Sequence, residues 1–361
     1  MSDAEPGISR RAAGKGFVYL DARGRPVRDA EVLARIGSLV IPPAWTDVWI
    51  CARSDGHLQA TGRDARGRKQ YRYHQRWSAL RDTEKFGHIL QFAKALPGIR
   101  RRVARDLQKP ALSRARVLAT VVRLLETTLI RVGNDEYART NGSYGLTTLE
   151  DRHVDVVGKR IVFSFRAKSG VKQRIDLEDP ELARSVRRCR DLPGQRLFQY
   201  LDEEGRRQCI ESGDVNAYLR EVAAQDFTAK DFRTWAATVL AACALRQFAE
   251  ETTVRGRKKA VVQAIDTVAS KLGNTRAVCR KAYVHPAVLD AFMTGSTVEG
   301  ALSVTGSPVS FSRLSPEEQA VLSFLGRMRP RQRQRKTPQP AAAAGSTVVA
   351  SAAETAQGAS A

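Results

Sequence analysis

A chain of 361 residues with 60 lysines and arginines against 38 aspartates and glutamates carries a formal net charge of +22. An excess of that size points to a polyanionic partner. No internal period, no apolar run long enough to cross a bilayer and no charged-then-apolar leader is visible, which sets aside repeat architectures, membrane spans and secretion. A cytoplasmic, nucleoid-associated location is therefore expected. Cys51, Cys189, Cys209, Cys243 and Cys279 are scattered and never paired as C-x-x-C, so reduced, mostly buried thiols are expected rather than disulfides or a zinc site. From Gly326 onward six basic residues stand against one acid, so most of the positive charge belongs to the preceding body. Nucleic acid explains such a body best. An anionic membrane surface is the lesser alternative, because no basic amphipathic anchor stands out.

In chain order, residues 1–15 are small and polar and read as a flexible arm. Residues 16–80 read as a small β-rich DNA-binding domain. Short apolar or alternating runs at Phe17–Leu20, Val48–Ala52 and His57–Thr61 are separated by turn-rich stretches. Asp29 is placed to cap a short helix through Ile36, and Pro42-Pro43 forces an extended path into Trp45 and Trp49. Residues 81–325 read as a larger, mainly α domain. Its clearest helix spans Ser113 to Val132, with Val117, Val121, Leu124, Leu125, Leu129 and Val132 returning at three- and four-residue steps. Strands are predicted at Val154–Val157, Arg160–Phe165 and Val171–Leu177, with Lys168 at the hairpin tip. Thr228-x-x-Asp231 opens a helix through Phe248, and a further helix over Arg255–Leu272 stops at Gly273. Residues 326–361 read as a disordered tail, basic and then Ala/Ser-rich. The fold class is α+β.

Tyr283 stands out among residues that could carry chemistry. It follows Leu272-Gly-Asn-Thr-Arg-Ala-Val-Cys-Arg-Lys-Ala, a segment suited to presenting one phenol to a phosphate. A phenol with an ordinary pKa of about 10 is a poor nucleophile at neutral pH and needs positive charge beside it. Arg131 and Arg233 can each offer a guanidinium fork to non-bridging phosphate oxygens, where charge accumulates during phosphoryl transfer. A lysine on a hairpin tip suits proton delivery better than an arginine does, because an ammonium gives up its proton more readily. Taken singly, each of these residues has a plain structural reading as core tyrosine, helix-end arginine or solvated lysine.

The segments Ile130-Arg-Val-Gly-Asn134 with Tyr137 and Asn141-x-x-Tyr-Gly145, Phe165-Arg-Ala-Lys168, Lys230-Asp-Phe-Arg-Thr-Trp235, and Leu272-Gly-Asn-Thr through Lys281-Ala-Tyr-Val-His-Pro286 follow one another in a known order. With Ile41-Pro-Pro43 and Gly67-Arg-Lys-Gln-Tyr71, this set resembles the type IB DNA topoisomerases, in their bacterial poxvirus-like branch. The resemblance covers roughly residues 16 to 320. It implies a 3′-phosphotyrosyl enzyme with Tyr283 as nucleophile, Arg131 and Arg233 on the phosphate and Lys168 as general acid, with Lys159 and Lys172 as close competitors for that last role. It also implies a monomer clamping duplex DNA.

One position departs from the family pattern. Asn274 stands nine residues before Tyr283, where many members carry a histidine that donates to a phosphate oxygen; an amide can still donate there but cannot become a cation, so the resemblance counts Asn274 among the catalytic residues. His285 reads as structural. Lys69, Gln70, Tyr71 and Tyr73, in a cluster with Arg63, Arg66 and Arg68, are candidate DNA contacts, as are Tyr137 and Asn141 beside Arg131. No nucleotide cofactor is expected, since Gly62-Arg-Asp-Ala-Arg-Gly-Arg-Lys69 fails the P-loop spacing, and no His/Cys or paired-carboxylate metal site is apparent. A tyrosine recombinase is the nearest alternative, but its usual histidine three residues before the second arginine is here Lys230. A non-catalytic architectural DNA-binding protein would account for the charge and leave the ordered motifs unexplained.

Overall fold

The computed structural model describes residues 1–14, 16–65, 67–110, 112–298 and 313–328, and for residues 79–83 the backbone alone. Arg66, and the expected tail beyond Met328, lie outside the described residues. Five antiparallel strands form the N-terminal sheet: β1 (Ile8–Ala13), β2 (Gly16–Leu20), β3 (Thr46–Ile50), β4 (Leu58–Arg63) and β5 (Lys69–Tyr73), in the order β2-β1-β3-β4-β5. Helix α1 (Ala30–Ser38) covers it, with the Asp29 carboxylate accepting from the amides of Glu31 and Val32 as the sequence predicts. Ile8, Ile36, Val48, Ile50 and Ala60 make a small core between them.

The expectation of a free arm over residues 1–15 is corrected here, because β1 lies between β2 and β3. Ile-Ser-Arg-Arg-Ala-Ala has one large apolar residue, Ile8, so hydrophobic patterning is silent about it. The strand is held instead by backbone pairing on both edges and by Arg10, whose guanidinium donates to the carbonyls of Pro42 (3.0 Å) and Trp45 (2.6 Å). The boundary expected near residue 80 also moves. Helix α2 (Gln75–Leu107) runs unbroken through that point, with only its N-cap His74 separating it from β5.

The larger part continues with α3 (Arg114–Thr128), α4 (Asp135–Asn141), a sheet of β6 (Val154–Val157), β7 (Arg160–Arg166) and β8 (Lys172–Glu178), α5 (Pro180–Arg190), the small pair β9 (Gln199–Leu201) and β10 (Arg207–Cys209), then α6 (Ser212–Ala223), α7 (Ala229–Arg246), α8 (Val254–Leu272), α9 (Arg276–Ala282), α10 (Pro286–Met293) and α11 (Pro316–Met328). One large core joins these elements, with Phe92, Leu96 and Ile99 of α2 meeting Leu124 and Leu125 of α3, Phe163 of β7, Trp235 of α7 and Val268 of α8. Phe92 sits edge-on to both Phe227 and Phe232, at 5.3 and 4.9 Å between ring centres. The molecule is thus a small β-rich N-terminal part and a larger, mainly helical part, an α+β fold.

Helix α3 stops four residues earlier than its apolar period predicts. Leu129 turns left-handed (φ 56°), and the chain beyond it leaves the helix to pair with residues 146 and 147. Leu146 N donates to Arg131 O at 2.8 Å and Thr147 N to Val132 O at 2.7 Å. Pairing outside the helix replaces the last turn that periodicity alone would add.

Candidate active site

Arg131 is placed by that pairing. Gly133, at φ 114°, makes a turn that a side chain would strain, and Gly145 packs so closely that a Cβ there would lie 2.6 Å from Arg131 O and from Gly133 N. Two glycines of the Ile130-to-Gly145 segment therefore bring Arg131 beside the ends of α3 and α8. Its Nη2 donates to the Asn274 side-chain oxygen and to Gly273 O at 3.3 Å. Gly273 is the left-handed cap (φ 59°) that ends α8 and turns the chain toward α9.

Arg233 projects from the first turns of α7, opened by the reciprocal Thr228–Asp231 capping box, and is 3% exposed. Its guanidinium bridges two helix ends, donating through Nη1 to Leu129 O and through Nη2 to Leu272 O at 2.8 Å. The guanidinium carbon sits 5.3 Å from the centre of the Tyr283 ring, and Nε has no hydrogen-bond partner. Burial, then the charge of Arg131, pulls Arg233 below its ordinary pKa, while the nearby phenol opposes this.

Tyr283 is the residue on which α9 ends. Burial by itself would push its phenol up, but the charge of Arg233, a hydrogen bond from it, and the charges of Arg131 and Lys230 together hold the phenol below the usual tyrosine value. Lys168 comes from the β7–β8 tip, where Ser169 (φ 66°) and Gly170 (φ 77°) close the turn. The hairpin base is tied to the Arg131 segment by Tyr144 N donating to Arg166 O at 2.8 Å. Arg131, Lys168, Arg233 and Tyr283 all line one cleft of about 260 Å³, together with Gly133, Asn134, Tyr137, Tyr144 and Lys230.

The other expected residues divide. Asn274, expected as a phosphate donor, instead stands behind Arg131 and does not line the cleft: its oxygen is taken by that guanidinium, and its buried Nδ2 nears the Cys279 thiol without a full hydrogen bond. Tyr137, 44% exposed, lies with its ring 5.5 Å from Lys168 Nζ. Asn141, at the other end of α4, is exposed and does not line the cleft. Lys69, Gln70, Tyr71 and Tyr73 lie on the edge strand β5, away from the cleft lining. There the Tyr71 and Tyr73 rings stack on one face (6.1 Å, 10°), Lys69 pairs with Asp3 at 2.5 Å, and Gln70 donates to Asp64 at 2.9 Å. His285 caps α10 by accepting from Ala287 N at 3.1 Å, a structural role as expected, although it begins a new helix rather than continuing that of Tyr283. Lys230 is the cleft residue that sequence reasoning passed over. Its spacing of three from Arg233 on a helix was the available signal.

Two family descriptions match the chain in order: the N-terminal domain of bacterial DNA topoisomerase IB over residues 16–64, and the catalytic core of eukaryotic DNA topoisomerase I over residues 74–297. A DNA topoisomerase 1B of Acanthamoeba polyphaga mimivirus is 32% identical over 293 residues, covering 79% of this chain and 87% of the viral one. The DNA topoisomerase 1B of Vaccinia virus (strain Copenhagen) is 23% identical over 63% of this chain and 70% of its own length. The second match begins where β5 gives way to α2 and contains every residue that lines the cleft, so this protein is an enzyme that belongs to the type IB DNA topoisomerases.

Proposed function

We propose that the protein relaxes supercoiled duplex DNA by cutting and resealing one strand through a 3′-phosphotyrosyl intermediate on Tyr283, without nucleotide or required metal. The meeting of Tyr283, Arg131, Arg233 and Lys168 at one cleft carries this reading. The Tyr283 oxygen attacks the scissile phosphorus and loses its proton to solvent. As the new P–O bond forms, the bond to the 5′ oxygen breaks, and Lys168 hands that oxygen a proton. Arg131 and Arg233 stabilise the charge on the non-bridging oxygens, each being worth about 10²–10³-fold in rate by analogy with single oxyanion donors. Resealing reverses these steps, so the phosphotyrosine conserves the energy of the broken bond. Asn274 serves the reaction by orienting Arg131.

The N-terminal sheet, with Tyr71 and Tyr73 exposed on its edge strand, offers the second face of a monomeric clamp around duplex DNA. Working on duplex DNA, the enzyme belongs with the nucleoid in the cytoplasm. The test is relaxation of supercoiled plasmid in EDTA without ATP, comparing wild type with Tyr283→Phe and trapping adducts with detergent. Relaxation and a 3′-linked adduct from wild type alone are expected. An adduct that persists in Tyr283→Phe refutes the assignment of the nucleophile.

A further inference from the structure

Helix α2 leaves the N-terminal sheet directly after β5 and runs past the segment that carries the nucleophile. Lys85 of α2 donates through Nζ to Ala282 O at 2.6 Å. Ala282 is the last residue of α9 and immediately precedes Tyr283, and a carbonyl at a helix C-terminus is both unsatisfied within the helix and partly negative. The adjacent Phe86, 8% exposed, packs its ring 4.7 Å from that of His285, two residues beyond the nucleophile. From α7, Thr238 Oγ1 accepts from His285 N at 3.1 Å and lies 3.3 Å from Tyr283 O, while its proton is nearer Thr234 O at 2.8 Å. The backbone on both sides of Tyr283 is thus held by α7, which carries Arg233, and by α2, which carries the N-terminal sheet.

We infer that Lys85 is a positioning residue for Tyr283, and that through it α2 links engagement of DNA by the N-terminal sheet to alignment of the nucleophile. The inference rests on the reading of Tyr283 as nucleophile. Lys85 lies in the part of α2 nearer β5, before Pro97, so a shift of the sheet on closing over DNA is passed along the first turns of the helix to Lys85. The Ala282 carbonyl follows, and the phenol lies one residue away. Misplacement of a reacting group by about 1 Å costs up to roughly a hundredfold in rate.

The experiment uses the full chain with Lys85→Met, which keeps an aliphatic chain over Phe86 and removes the donor, and Lys85→Arg, which restores a donor. Single-turnover cleavage of a nicked suicide duplex, DNA affinity in a Tyr283→Phe background, and melting temperature are measured for each. Lys85→Met is expected to slow cleavage by at least about tenfold with affinity and melting temperature unchanged, and Lys85→Arg to return most of that rate. Cleavage at the wild-type rate by Lys85→Met, or affinity falling in step with rate, overturns the positioning role. If Lys85→Met fails to fold, Lys85→Gln, too short to reach Ala282 O, takes its place with the same expectations. For the link to the sheet, Tyr71→Ala is expected to slow cleavage at saturating DNA in the wild type and by a smaller factor in Lys85→Met. No effect of Tyr71→Ala at saturation, or full additivity, overturns the link. A covalent adduct in Tyr283→Phe would overturn the nucleophile reading, and this inference with it.

Discussion

Replacing Gly145 by alanine tests how Arg131 is placed without touching any group that could do chemistry. Gly145 has extended backbone angles (φ −147°, ψ 178°) that alanine adopts freely, so the substitution carries no conformational penalty of its own. The added methyl, however, would lie 2.6 Å from Arg131 O, Gly133 N and Gly133 Cα, against ordinary contacts that begin at 3.4 Å. All three are backbone atoms, so none can swing aside as a flexible side chain would. The 131–133 segment must retreat by roughly 0.8 Å, or the 145–147 segment must give up its hydrogen bonds to it. Overpacking of this kind costs about 1–3 kcal/mol, or roughly 1–2 °C of melting temperature per kcal/mol in a protein of this size. Displacing Arg131 by that distance is expected to cost about a hundredfold in cleavage rate at saturating DNA. Calorimetry and single-turnover cleavage read the two effects separately. Gly158→Ala is the control: its position has φ 57° but nothing within 4 Å, so some stability and no cleavage rate is lost. A folded Gly145→Ala protein with wild-type stability and cleavage would refute this account of the site.

The Lys168→Ala variant is expected to cleave ordinary DNA slowly and to recover on a substrate with a 5′-thiol leaving group, which needs no proton; equal impairment on both refutes the general-acid role. Burial, followed by the charge of Lys85, lowers the His285 pKa from 6.5 to about 4, so the unfolded chain binds more protons between those values and stability rises with pH across that window. Acidification from pH 6.5 to 4 therefore costs up to about 3 kcal/mol through this one residue. His285→Asn, which can still cap α10, is expected to lose less over the same range in denaturant titrations; an identical pH profile counts against the assignment. Asn274→His is expected to remain active, since a neutral ring nitrogen can accept from Arg131, whereas Asn274→Leu removes the acceptor and slows cleavage at least tenfold. Equal activity of the two in a cleavage assay would show that the Arg131 contact is idle.

Where local signals and tertiary packing agree, the elements were legible in the residues themselves. Asp29, Ser113 and Thr228 each begin a helix, and Gly273 ends one, because capping is decided by a few neighbouring side chains. The β7–β8 hairpin and its Lys168 tip were equally plain from alternation and Gly170. Strand β1 was hidden, since Arg10 rather than an apolar face fastens it to the sheet. The end of α3 was hidden for a related reason, as long-range pairing to residues 146 and 147 replaces its last turn. At the site, Arg131, Lys168, Arg233 and Tyr283 could be picked out by type and order. That Asn274 meets a guanidinium, and that Lys230 adds its charge to the cleft, depends on distances no spacing rule supplies.

Arg131 and Arg233, which line one cleft, must be held beside each other against their mutual repulsion. Like charges in a partly buried cleft repel, and the lowered pKa of Arg233 reflects this as well as its burial. The fold answers with helix ends. Arg233 donates to Leu129 O and Leu272 O, where α3 and α8 terminate, and Arg131 donates to Gly273 O at the same end of α8. Each helix terminus carries roughly half a negative charge on carbonyls that have no partner within the helix, so the guanidinium groups supply missing donors while the carbonyls offset their repulsion. The left-handed residues Leu129 and Gly273 make this possible by turning the chain away from the carbonyls they expose. Arg233 Nε stays without a partner, next to a phenol already held below its usual pKa. A buried donor left without a partner costs stability, so the fold keeps this guanidinium beside the phenol at the expense of one hydrogen bond.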